Sequence, residues 1–209
     1  MIRRMPVAVA CSVLAAATAL PATALPATAS ADPGEAEVEV TVRIPEIEEP
    51  GVLALSVAGD AVPLTENGSD LLVRQFTGRL PTVTVTDTRT LEAIPAGSSW
   101  AVLGSSSDFA GTAGQAPISA GHLGWKPRLI DGGDTGLVAE GEEVVTVLDD
   151  PTQPGNNVGL VDQELLVSTY ESAEVTGGAY TVDADLYLRT PADVAAGSYH
   201  STLTLSLFE

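Results

Sequence analysis

The sequence predicts an all-β fold, an antiparallel two-sheet β-sandwich of Ig-like type behind a short N-terminal signal helix. Three observations predict it. Short runs that alternate apolar and polar residues recur along the chain, and alternation at period two turns one face of a strand to a core and the other to water. Clusters of Gly, Pro, Asn and Ser divide the runs where tight turns are needed. Beyond the leader, no Pro- and Gly-free stretch of about ten residues carries apolar positions at helical spacing, so helix is a minor component.

Taken in order, the first element is an export leader. Arg3 and Arg4 give it a positive start, residues 6–20 an apolar centre, and Ala29-Ser30-Ala31 the small residues that a signal peptidase reads. Cleavage is expected after Ala31, leaving residues 32–209 as a single secreted domain. A lipoprotein reading through Ala8-Val9-Ala10-Cys11 fits less well, because so few apolar residues precede the cysteine. Strict alternation then predicts strands at residues 38–42, 82–86, 182–186 and 203–207, and further strands are expected at 52–57, 71–76, 99–103, 144–148 and 162–170. Residues 108–142, rich in Gly, are expected to hold long connections.

Composition narrows the function classes. The chain has 28 acidic and 9 basic residues, and loss of Arg3 and Arg4 with the leader takes the charge to about −21. Such a surface repels nucleic acid and anionic lipid, so neither is an expected partner. With Cys11 in the leader, the mature domain has no disulfide, no thiol nucleophile and no thiolate metal site. No later apolar run reaches the ~18 residues of a membrane span, so no transmembrane segment is expected.

Catalytic constellations are scarce. His122 and His200 are the two histidines, and no serine stands in a Gly-x-Ser-x-Gly elbow. The sequence is therefore read as non-enzymatic and free of cofactors. Asp131, Asp134, Asp183 and Asp185 could offer oxygen ligands to calcium, but the twelve-residue loop with its closing glutamate is missing, and Asp131-Gly132-Gly133-Asp134 reads as a turn. The candidate ligand-binding residues are Trp100 and Trp125. An indole either fills a core or offers its face to a sugar or peptide, and spacing leaves both readings open.

The run Leu80-Pro81-Thr82-Val83-Thr84-Val85-Thr86-Asp87-Thr88-Arg89, followed by Trp100-Ala101-Val102 and Asp108-Phe109, resembles the opening of the WxL domains of Gram-positive cell surfaces. Gly197-Ser198-Tyr199-His200-Ser201-Thr202-Leu203-Thr204-Leu205-Ser206-Leu207 is similar to the closing strand of that family. The resemblance implies a β-sandwich held non-covalently on peptidoglycan, with Trp100 carried over as a motif position. It implies a surface domain that binds the cell wall or a partner surface protein; the alternatives are a subunit of a surface complex without direct wall contact, and last a secreted hydrolase. Two departures stand out: Trp100 opens W-x-V rather than W-x-L, and Leu205-Ser206-Leu207 stands where the second W-x-L would be. Trp125 has no motif counterpart.

Overall fold

The computed structural model describes residues 42–43 and 51–209. The leader, its cleavage position and the strand expected at residues 38–42 lie outside the described residues, apart from Val42 itself, which is exposed. Twelve strands follow in chain order: β1 (Leu53–Val57), β2 (Thr65–Glu66), β3 (Val73–Arg79), β4 (Val83–Asp87), β5 (Trp100–Ser106), β6 (Ala110–Gly111), β7 (Leu123–Asp131), β8 (Val138–Glu140), β9 (Glu164–Thr169), β10 (Gly178–Pro191), β11 (Tyr199–His200) and β12 (Leu203–Phe208). The helical pieces among them are three single 3-10 turns. The protein is all-β with antiparallel sheets.

The larger sheet is organised around β10. One side of β10 is lined by β7, from Leu188 against Leu123 to Thr181 against Asp131. Its other side takes β4 along the first half and β3 along the second. Between those two strands the backbone swerves at Leu80-Pro81-Thr82, and Leu80 N–H still donates to Ala184 O at 2.9 Å. β3 and β4 thus act as one bent strand. A proline is tolerated at this swerve because the ladder is already interrupted there. β1 and β2 continue the sheet outward on β4 and β3 respectively.

The smaller sheet has the order β12-β5-β9-β8. Its register slips between Val102 and Leu103, where β9 carries one extra residue. That bulge lets Leu166 and Val167, adjacent in sequence, both be buried.

β6 and β11 pair as a third, two-stranded sheet, and the larger and smaller sheets contribute to one apolar cluster. Val83, Val85, Val182, Ala184 and Leu186 come from the larger sheet, and Trp100, Val102, Leu166 and Val167 from the smaller. Trp125 of β7 lies over β5 so closely that a Cβ at Gly104 would stand 2.6 Å from its Cη2. Gly104 is therefore the one residue type β5 can carry opposite that ring. Asp87, fully buried, is the charged exception in this layer. Arg89 answers it with Nη2 to Oδ2 at 2.6 Å and Nε to Oδ1 at 2.9 Å, and reaches on to Glu209 Oε1 at 2.5 Å. This clamp ties the end of β4 to the residue after β12.

Two sequence expectations are corrected here. Residues 108–142 hold β6, β7 and β8 as well as connections. β7 was obscured by Pro127 and Gly124, although Leu123, Trp125, Pro127 and Leu129 alternate with Gly124, Lys126 and Arg128 as a half-buried strand does. Pro127 is accommodated because β7 is an outer strand of its sheet. Residues 144–148 are not a strand: Val144 bridges Trp125 and the chain then turns, with Asp149 Oδ2 accepting from Thr146 N and Oγ1.

Candidate functional site

A concave feature is bounded by the larger sheet and by β12 of the smaller sheet, on the side where β1 and β12 are the outer strands. It is a cleft of about 890 Å³, within the ~300–1,000 Å³ range of ligand sites. The larger sheet supplies Leu55, Phe76, Leu186 and Leu188 from inward-facing positions, and β12 supplies Leu203 and Leu205. Phe109, Ile118 and Leu123 also line it, as do residues 59–64, 194–197 and 199–202.

The position of the cleft follows from the Arg89 clamp. Leu53 pairs with Asp87 at one end of β1, and Arg89 joins Asp87 to Glu209 just beyond β12. The two outer strands are thereby held together at the Leu53 and Glu209 ends. The lining residues come from their other ends, Leu55 to Val57 and Leu203 to Leu205. Apolar side chains on facing sheets normally interdigitate. Here those of Leu55, Phe76, Leu203 and Leu205 are only half-buried, so the cleft keeps apolar surface in contact with water.

Polar and charged side chains also line the cleft, Asp60, Arg74, Ser106, Thr190 and His200 among them. Thr190 lies on the inner face of β10 beyond Leu188, fully buried, and its Oγ1 has no hydrogen-bond partner among the described residues. A buried hydroxyl without a partner forfeits about 1–3 kcal/mol. Arg74 of β3, the register partner of Thr190 on β10, stacks over Phe76 with Cζ 5.1 Å from the ring centroid. Its guanidinium donates to Glu66 at 2.8 and 3.0 Å and, with help from Ser69, holds the Glu66 carboxyl at about 2. At the rim, Ser106 Oγ lies 2.8 Å from Ser201 Oγ.

The sequence candidates fall elsewhere. Trp100 and Trp125 are 1% and 0% exposed, and neither indole N–H has a partner among the described residues. Trp100 packs on Tyr180 with centroids 5.8 Å apart and planes tilted by 33°, an arrangement typical of core aromatics. Neither ring presents a face to solvent, so stacking a sugar on either one requires opening the core. The two indoles serve as core filling, and the apolar residues that line the open space are aliphatic apart from Phe76, Phe109 and Tyr199.

His122 Nδ1 sits 2.7 Å from Arg189 O, which leaves Nε2 as its free nitrogen when Nδ1 carries the proton. His200 is exposed on the cleft rim in β11. Among the described residues neither imidazole is hydrogen-bonded to a serine or threonine hydroxyl, and no three His, Cys, Asp or Glu side chains gather as a metal site would need. Asp131 Oδ1 accepts from Gly133 N at 2.9 Å, closing a turn. Asp183 is enclosed by Arg128, at 2.7 and 3.0 Å, and by Arg79 at 3.2 Å. Chiefly through its bonds to Arg128, its carboxyl titrates below the usual carboxylate range.

The cleft was hidden in the sequence because its walls are the same alternating leucines and valines that mark a core. Periodicity says which face of a strand is apolar; it does not say how far apart two such faces stand. No helix among the described residues is long and apolar enough to cross a membrane. No family model matches the chain, and comparison with curated proteins and with solved structures likewise finds no match.

Proposed function

We propose that the chain is an exported, non-enzymatic surface domain, a two-sheet β-sandwich of Ig-like type, that works by holding an apolar ligand in the cleft between its sheets. The observation that carries this reading is the cleft itself: open apolar space, bounded by half-buried leucines and a phenylalanine, with an unpartnered hydroxyl at Thr190. Sites of this composition bind through burial of apolar area and use a few polar groups to orient what is bound. A leader cleaved after Ala31 and the acidic composition are consistent with a soluble exported protein. Between the two surface roles implied by the resemblance to WxL domains, attachment to a partner surface protein fits the cleft better than attachment to glycan. Glycans are bound by exposed aromatic platforms and polar side chains, whereas this cleft is mainly aliphatic.

The resemblance also offers a reason for the open space. Leu205 stands where the pattern has its second tryptophan, and it lines the cleft. A leucine there leaves volume that an indole would occupy. The test uses Nile red, an uncharged dye that brightens in apolar surroundings, titrated into the protein and into Leu205→Trp and Leu203→Trp. Saturable one-to-one binding that both variants abolish, with unfolding temperatures retained, is the expected result. Binding that fails to saturate, or that ignores both tryptophans, removes the cleft from the function. Sedimentation with purified peptidoglycan, run alongside, decides the wall reading directly: co-sedimentation unaffected by Leu205→Trp would move the binding surface off the cleft.

A further inference from the structure

The two outer strands beside the cleft differ from the other sheet edges in a way that names the occupant. A strand edge left open is a template for pairing, and proteins blunt such edges with charges, prolines, bulges or very short strands. β2 carries Glu66, β8 carries Glu140, and β7 carries Lys126, Pro127 and Arg128. β1 reads Leu-Ala-Leu-Ser-Val and β12 reads Leu-Thr-Leu-Ser-Leu-Phe, with neither a charge nor a proline. In a chain in which 18% of residues are charged, β1 and β12 are, among the described residues, the unprotected edges longer than two residues, and both border the cleft. β12 is the longer, and among the described residues no strand lies along its outer side.

Resting on the binding-domain reading above, we propose that the occupant is an extended segment of another protein, which adds as a strand to the open edge of β12 and turns alternate apolar side chains into the cleft. Every second N–H and C=O of β12 points away from β5, and among the described residues no strand pairs with it there. The incoming side chains on one face would meet Leu55, Phe76 and Leu188, so backbone pairing supplies affinity and the alternating contacts supply selectivity.

Charge identifies the partner further. Acidic residues outnumber basic ones by 28 to 9, and Arg74, Arg79, Arg89, Lys126, Arg128 and Arg189 are each engaged by a carboxylate. Two copies of this chain would repel each other, whereas a segment flanked by lysine or arginine is drawn in. The occupant is therefore a basic-flanked strand of a different protein rather than a second copy.

The experiment reads backbone hydrogen exchange of the protein with and without a synthetic peptide that alternates valine and threonine between pairs of lysines. Two further peptides carry N-methyl groups on alternate amides, one set along each edge of the strand. The expected result is slowed exchange at alternate amides of β12, and binding weakened at least about tenfold by methylation along one edge but not along the other, as loss of backbone hydrogen bonds requires. Equal binding by both methylated peptides, or β12 amides that are already protected in the protein alone, overturns the proposal. So does a dimer in sedimentation velocity. Saturable Nile red binding without any protection of β12 leaves the cleft as a ligand site and discards the strand; absence of both discards the binding-domain reading as well.

Discussion

Gly104→Ala tests the core that sets the cleft's depth. A methyl group at Gly104 would lie 2.6 Å from Trp125 Cη2, 2.8 Å from Cζ3 and 3.0 Å from Leu205 Cδ2. Carbon atoms settle at about 3.5–4.0 Å, so the two contacts to the ring are short by roughly 1 Å. Leu205 can retreat into the cleft, but Trp125 is fully buried and its backbone is held by Val144 in both directions, at 3.0 and 2.9 Å. Overpacking of this kind costs about 1–3 kcal/mol, and the immobile ring puts the cost near the upper end. Loss of glycine's freedom in the unfolded chain returns about 0.4–1 kcal/mol. The net is about 2 kcal/mol, a fall in unfolding temperature of about 4–8 °C for a domain of this size. Differential scanning calorimetry measures it. Trp125→Phe removes the two ring atoms in question, so in that background the same substitution should cost less by about 1 kcal/mol or more, a coupling of the size expected for residues in contact. A fall below about 1 °C, or strict additivity of the pair, would refute the packing of Trp125 onto Gly104.

The remaining predictions concern buried polar groups. Thr190→Val replaces a hydroxyl that has no partner with a methyl of similar shape, and urea unfolding should show no loss of stability or a gain of about 1 kcal/mol; a loss of that size would reveal a partner for the hydroxyl. Arg89→Met leaves Asp87 buried with an uncompensated charge and should cost about 3–5 kcal/mol, most of it recovered when Asp87→Asn is added; a cost below about 1 kcal/mol would exclude the clamp. Asp183 has its carboxyl held below the usual range mainly by Arg128, so its contribution to stability is complete above that range and is lost as the pH falls through the lowered value. Arg128→Met should therefore start acid unfolding, followed by near-UV circular dichroism, at a higher pH, and an unchanged midpoint would contradict the pairing. Glu164 titrates above the usual range because of burial and its neighbour Asp162, so ionising it opposes folding as the pH rises through that value. Glu164→Gln should raise the unfolding temperature at pH 7 and change it less at pH 4; the reverse order would show that the carboxylate is stabilised rather than strained.

Much of the architecture was legible residue by residue. Thr82-Val83-Thr84-Val85-Thr86 and Leu203-Thr204-Leu205-Ser206-Leu207 gave strands displaced by no more than a residue, because strict alternation fixes both the element and its face. The run at 182–186 gave only the middle of β10, whose fourteen residues include turn-like ends at Gly178 and Pro191. At 71–76 the strand starts at Val73, since Asp70 Oδ1 caps the turn by accepting from Leu72 and Val73 N–H and leaves Leu71 94% exposed. β7 was missed because Pro127 reads as a breaker until its place at an outer strand is known. Trp100 and Trp125 stand out in the sequence as large rings, but a side chain's type does not carry its depth, and both are buried.

What the sequence determined by itself is the local grammar: which segments extend, which face of each is apolar, where the chain must turn, and that the chain is acidic. These follow from periodicity, turn chemistry and charge, which are properties of neighbours along the chain. The tertiary structure alone decided which strands became edges, that Arg89 pins β1 to the end of β12 through Asp87 and Glu209, and that the sheets part beyond that pin to leave a cleft. The distance between two apolar faces is set by contacts between residues more than a hundred positions apart, and no pattern within either strand encodes it.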